Sequence, residues 1–192
     1  MKAIVAFVIW AVTKLFKIEV KNADKIPSDG ACMVCLNHIS LFDPIVILSC
    51  IRRPIRFISK QELMKIPVIG SALKYMNVIP IKRGSGDMGA LKASFKTLND
   101  GEVLGIFPTG TREKKNPNAP VKPGVVLIAL KTGVPVIPVH IDASYRFFSK
   151  VTVNVGDAVD LSKYEGRKLT CDERTEAAEY IYSSIKALGD AK

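Results

Sequence analysis

The stretch Ala31-Cys32-Met33-Val34-Cys35-Leu36-Asn37-His38-Ile39-Ser40-Leu41-Phe42-Asp43-Pro44 decides the fold. Its first six residues are a continuous apolar run of strand length, the pattern of a strand buried on both faces. Pro44 favours the first position of a helix. His38 therefore falls at the mouth of a strand and Asp43 at the start of the next helix. A turn between them brings imidazole and carboxylate within hydrogen-bond reach. That pairing lets a carboxylate fix the tautomer and orientation of a histidine base. The same spacing has a plainer reading, because an aspartate before a proline is also a good N-cap and needs no chemistry. An ordinary histidine at a strand end is equally consistent with the spacing alone.

Outward from this stretch, strands and helices alternate. Strand patterns cover residues 18–21, 31–36, 55–59, 78–83, 103–107, 134–139 and 151–155. Helical patterns cover 45–51, 85–98, 123–131 and 170–188, with short helical pieces at 60–64 and 68–75. Asp100-Gly101 and Gly133 read as helix stop signals. Alternation of this kind predicts an α/β fold with a largely parallel central sheet flanked by helices. Ligands of such sheets gather at the carboxyl ends of the strands. His38, Arg83 and Arg112 each follow a strand, so a base and two cations meet at one edge of the sheet.

The 192 residues suit one domain with a sizeable core. A net charge of +10 with 48% hydrophobic residues points to an anionic partner: nucleic acid, anionic lipid headgroups or a phosphorylated substrate. Aromatic residues make up only 7%, which argues against base stacking and so against nucleic acid. Cys32 and Cys35 form a CxxC, but residues three apart on a strand face opposite sides. Buried, reduced thiols are the expectation, not a redox or metal pair. No Walker loop, no GxSxG and no metal-ligand set occurs, so neither a cofactor nor a metal is predicted.

The apolar run 3–12 is too short to span a bilayer, which needs about 20 residues. Lysines border it on both sides, and Trp10 and Phe16 suit an interfacial depth. Residues 1–17 are therefore expected to form a helix lying in a membrane interface, followed by an α/β domain over 18–192.

Four segments in order carry a resemblance. They are NHxxxxD at Asn37 to Asp43, a strand ending in arginine at Val78 to Arg83, Phe107-Pro108-Thr109-Gly110-Thr111-Arg112, and a VPxxPV strand at Val134 to Val139. Together they resemble the glycerolipid acyltransferase family over roughly residues 18 to 160, and the length is most like its bacterial members. The resemblance implies a glycerol-3-phosphate acyltransferase-like fold. It implies transfer of an acyl group from acyl-CoA or acyl carrier protein to the 2-hydroxyl of lysophosphatidate, without a cofactor. It assigns His38 and Asp43 to catalysis and Arg83, Gly110, Thr111 and Arg112 to the substrate phosphate. Thr109 stands where the family has glutamate, which implies tuning of the acceptor site there. The implied location is peripheral, on an anionic membrane at the cytoplasmic face. Two alternatives remain: a related acyltransferase for another acceptor, such as glycerol 3-phosphate or another lysophospholipid, and a non-catalytic binder of anions or nucleic acid.

Overall fold

Cys32 and Cys35 do end on opposite faces of one strand, and the two faces carry different partners. The computed structural model describes residues 10–11, 13–82 and 87–190, with residues 68 and 69 described by backbone alone. The strands are β1 Lys17–Lys21, β2 Cys32–Leu36, β3 Ile55–Lys60, β4 Ile79–Ile81, β5 Val103–Ile106, β6 Val136–Ala143 and β7 Lys150–Val155. The helices are α1 Asp43–Cys50, α2 Pro67–Tyr75, α3 Met88–Asn99, α4 Gly124–Thr132 and α5 Cys171–Asp190. Among the described residues the strands make one seven-stranded sheet, in the order β1-β7-β6-β2-β5-β3-β4. Every pairing is parallel except β6 with β7. The α/β fold with a largely parallel sheet is as expected. β7 runs opposite to its neighbour β6 because a short connection, residues 144–149, joins them as a hairpin does.

β2 lies at the centre, and all five of its residues are buried. A central parallel strand is covered on both faces, which is why its sequence reads as an unbroken apolar run and not as an alternation. Met33 and Cys35 pack with α3, α4 and α5 on one face. Cys32, Val34 and Leu36 pack on the other face with α1 and with Phe16. Burial raises the Cys35 thiol pKa far above its ordinary value, as suits an inert core thiol.

Local chemistry sets the helix ends. Asp87 caps α3, accepting from the amides of Gly89 and Ala90 at 2.9 and 3.0 Å. α4 stops at Gly133, whose φ of 64° is the left-handed conformation glycine adopts without penalty. Pro138 is tolerated within β6 because the ladder with β7 begins one residue later, at the Val139–Val155 pair.

Residues 1–9 and 12, most of the expected interfacial helix, lie outside the described residues. The described part is helical at Trp10, Ala11 and residues 13–15, and it then turns inward. Phe16 is buried in the α1-side core. Among the described residues no helix is long and apolar enough to cross a membrane.

Candidate active site

His38 stands just past the end of β2, and Asp43 is the first residue of α1. The His38 Nδ1 to Asp43 Oδ2 distance is 2.7 Å. Asp43 is fully buried, while the His38 side chain retains 16% exposure. The imidazole therefore has its carboxylate on the protein side and a face toward solvent. Asp43 does not cap its helix: the N-cap position is Phe42, and no side-chain cap bond forms there. The carboxylate points back into the turn instead. Oδ2 accepts the amides of Ile39 and Ser40 at 2.7 and 2.8 Å. Oδ1 accepts the hydroxyl of Tyr145 at 2.6 Å. A buried charge is stable only when donors surround it, and these supply them.

Neighbouring strands hold the turn in place. Asn37 is buried and clamps β6, with Nδ2 donating to the carbonyl of Ile141 at 2.9 Å and Oδ1 accepting its amide at 2.8 Å. The imidazole stacks on Phe107, with ring centroids 4.1 Å apart and planes 26° from parallel. Phe107 in turn stacks on Phe57 of β3. Phe107 opens the segment that follows β5, and that segment returns to the histidine: the amide of Glu113 donates to the carbonyl of His38 at 2.8 Å. The Glu113 carboxylate accepts the hydroxyl of Tyr182 on α5 at 2.8 Å.

Thr109, Gly110, Thr111 and Arg112 all lie between Phe107 and Glu113, on a loop held at both ends by His38. Pro108 opens a tight turn, closed by the Gly110 amide on the Phe107 carbonyl at 2.9 Å. Gly110 adopts a φ of 65°, which a side chain would disfavour. Thr109 is buried at 6% exposure, and its hydroxyl donates to the Thr111 carbonyl at 2.9 Å. Arg112 is partly buried, and among the described residues its guanidinium makes no hydrogen bond or ion pair. Arg83 lies outside the described residues. His140, the other histidine, sits on β6, its ring close to Gly189 of α5, and burial lowers its pKa. Among the described residues no cluster of His, Cys, Asp and Glu fits a metal ion.

Tyr145 is the contact that sequence reading missed. It follows β6, 102 residues from Asp43, in a segment with no motif of its own. Burial, then the charge of Asp43 and the bond to it, raises the pKa of its phenol well above the ordinary range, so it stays a donor.

A mostly parallel α/β sheet with a carboxylate-oriented, part-exposed histidine at its carboxyl edge is the class this architecture defines: a protein equipped to move a proton at a bound ligand. The chain belongs to the Acyltransferase family, whose model matches residues 17–142. It is 35% identical over 185 residues to the chloroplastic 1-acyl-sn-glycerol-3-phosphate acyltransferase of Brassica napus; the match covers 89% of this chain and 54% of that protein. It is 30% identical over 184 residues to the 1-acyl-sn-glycerol-3-phosphate acyltransferase of Borreliella burgdorferi, covering 88% of this chain and 73% of that one. In three dimensions it resembles the crystal structure of the 1-acyl-sn-glycerophosphate acyltransferase of Thermotoga maritima, with a TM-score of 0.67 at 26% identity, over 100% of this chain and 83% of that one. The chain thus spans about half the length of the chloroplast relative and most of the length of the two bacterial ones.

Proposed function

We propose that this protein is a 1-acylglycerol-3-phosphate O-acyltransferase. The observation that carries the reading is the 2.7 Å contact between His38 and the buried Asp43, in a chain of the Acyltransferase family. With Nδ1 held by the carboxylate, Nε2 is the free basic nitrogen. It takes the proton of the 2-hydroxyl of lysophosphatidate while that oxygen attacks the thioester carbonyl carbon. The tetrahedral adduct collapses with loss of the thiolate, which receives the proton from His38. An ester and a free thiol result, and the histidine returns to its starting state. No acyl-enzyme is formed and no cofactor takes part.

The loop pinned to His38 supplies the acceptor's anchor. Arg112, with Gly110 and Thr111 around it, holds the phosphate, and Arg83 serves as the second cation. Arginine suits phosphate because its planar fork donates in pairs. Thr109, buried beneath the loop, tunes its shape.

The protein works as a peripheral enzyme on anionic membranes at the cytoplasmic face, with residues 1–17 as an interfacial segment and 18–192 as the acyltransferase domain. Leu41 and Phe42 in the turn beside the site, Phe147 and Phe148 after β6, and Trp10 are all exposed. The Phe148 amide bonds to the Leu15 carbonyl at 2.8 Å, which joins two of these apolar groups into one edge. Lys14, Lys17 and Arg146 lie in the same segments and suit anionic headgroups.

The test is a thiol-release assay with acyl-CoA and acyl carrier protein as donors. Lysophosphatidate, glycerol 3-phosphate and other lysophospholipids serve as acceptors. Release driven best by lysophosphatidate supports the reading. Release driven best by another acceptor redirects it to that substrate, and none with any acceptor removes it.

A further inference from the structure

We infer that Tyr145 is a positioning residue of the His38–Asp43 pair. Its hydroxyl occupies the second carboxylate oxygen so that Oδ2 stays aimed at His38 Nδ1. The inference rests on His38 being the base proposed above.

The two oxygens of Asp43 are used differently. Oδ2 meets His38 Nδ1 and the amides of Ile39 and Ser40, while Oδ1 meets the Tyr145 hydroxyl. Among the described residues Oδ1 has no other hydrogen-bond donor. Without the phenol, a fully buried anionic oxygen is left unsatisfied, and rotation of the carboxylate about its Cβ–Cγ bond would exchange the two oxygens. The phenol on Oδ1 and the two amides on Oδ2 together set that rotation.

The backbone supports this role. Four non-glycine residues among those described have positive φ: Asn22, Asn77, Tyr145 at 53° and Phe148 at 59°. Asparagine enters that region readily, whereas a bulky aromatic residue does so at a cost. Tyr145 is therefore held against its local preference. The hold comes from its ring, which meets Phe16 edge-on at a centroid distance of 5.3 Å and Phe42 at 5.7 Å. A residue kept in a strained conformation by its surroundings, with its hydroxyl aimed at a buried carboxylate, points to function rather than to filling. The cluster also connects the site to the membrane-facing edge, since Phe42 is exposed and Phe16 continues the N-terminal segment.

Packing alone is the competing account, and Tyr145→Phe separates the two. It keeps the ring and removes the bond. The expected result is a fall in kcat of about tenfold, the scale of one hydrogen bond to a charged group. KM for both substrates stays unchanged. The acid limb of the kcat profile moves to higher pH. The sign follows from charge: phenol donation draws negative charge from the carboxylate, so its loss strengthens the attraction of Asp43 for a proton on His38. The titratable groups that face the pair are Tyr145 itself and, from α1, Cys50, which interacts with the phenol and whose thiol burial keeps protonated. The segment that Phe107 opens carries Arg112 and Glu113, the latter with its carboxylate on Tyr182, and both are the same in the wild type and in Tyr145→Phe; the rings of Phe42 and Phe16 bring no charge.

Wild-type kcat and an unmoved limb in Tyr145→Phe overturn the inference. A lower kcat with the limb in place also overturns it, because misfolding or loose packing would act that way. The profile is recorded below the variant's melting temperature, so reduced stability does not obscure the outcome. His38→Ala is measured alongside: near-normal turnover there removes the base reading and this inference with it. An inactive His38→Ala with an unaltered Tyr145→Phe removes this inference alone.

Discussion

The amide of Glu113 donates to the carbonyl of His38 across 2.8 Å, and this bond fixes how the loop after β5 meets the histidine. Arg112 precedes Glu113 directly, so its Cα cannot drift from the histidine without breaking that bond. The Phe107–His38 stack does the same at the other end of the loop. Base and proposed phosphate anchor are therefore parts of one rigid piece, although the sequence separates them by more than seventy residues.

His38→Ala should lower kcat by about 10²–10⁴-fold, the usual loss for a general base. The fold should survive, because the imidazole lies at a strand end with one face open and its backbone carbonyl contact remains. Thiol release and a thermal melt, run on the same preparation, check both halves. Near-normal turnover by a normally folded variant would refute the base assignment.

Asp43→Asn tests the two readings that the sequence leaves open. An N-cap tolerates Asn as well as Asp, so a mere cap predicts almost no change. The structure puts Asp43 inside the turn, uncapped and fully buried, with His38, two amides and a phenol upon it. Asparagine keeps one acceptor oxygen but loses the charge that stabilises imidazolium. We expect at least about a tenfold loss of kcat and roughly 1–3 kcal/mol of stability, as for charge-assisted bonds. Urea denaturation with parallel kinetics measures both.

The parts of this arrangement that were legible in the sequence are local. An apolar run followed by a polar turn and a proline places His38 and Asp43 five residues apart, and such spacing constrains distance whatever the rest does. The opposite facing of Cys32 and Cys35 follows from the pleat alone. Tyr145, the clamp of Asn37 on Ile141 and the stack of Phe107 on His38 were not legible. Each joins segments far apart in the chain, and the strand order that brings them together depends on long-range pairing. The cap question needed the backbone as well, since the choice between cap and turn partner lies in which amides the carboxylate reaches.

Gly105→Ala should damage the site from beneath it. Gly105 pairs with Phe57 across β5 and β3, and a Cβ there would stand 2.5 Å from the Phe57 ring. The ring must move, and it supports Phe107, which supports His38. Overpacking of this kind costs about 1–3 kcal/mol. The expected result is a lower melting temperature together with a several-fold lower kcat at temperatures where the variant is folded. Full kcat in a destabilised variant would show that the aromatic stack does not transmit to the base.

Phe147→Ser with Phe148→Ser should weaken binding to anionic vesicles by about tenfold, on the scale of two partly inserted aromatic rings. Both rings are exposed, at 79% and 70%, so the fold loses little packing. Raising salt should weaken the wild-type protein too, through screening of Lys14, Lys17 and Arg146. Co-sedimentation across a salt series reads both effects. Equal binding by variant and wild type, on neutral and anionic vesicles alike, would sink the membrane-edge assignment.

Thr109→Glu restores the residue the family resemblance calls for. The threonine hydroxyl is buried and donates to the Thr111 carbonyl. A carboxylate cannot take that place, because it would face a carbonyl oxygen with no proton to offer. It must swing outward, and Arg112, three residues on, is the cation nearest in sequence. Among the described residues Arg112 makes no ion pair, so it is available to take the new charge. Pairing would fix the guanidinium before the substrate arrives and lower the entropy lost on binding. We therefore expect KM for lysophosphatidate to fall or kcat to rise, by a few-fold. The opposite sign has a clear cause: a carboxylate that competes with the phosphate for Arg112 adds like charge beside the ligand and raises KM. Steady-state kinetics with Arg112→Ala as the reference decides. If Arg112→Ala abolishes acceptor saturation while Thr109→Glu changes neither parameter, Thr109 is uncoupled from the phosphate site, and the departure from the family pattern has no bearing on the acceptor.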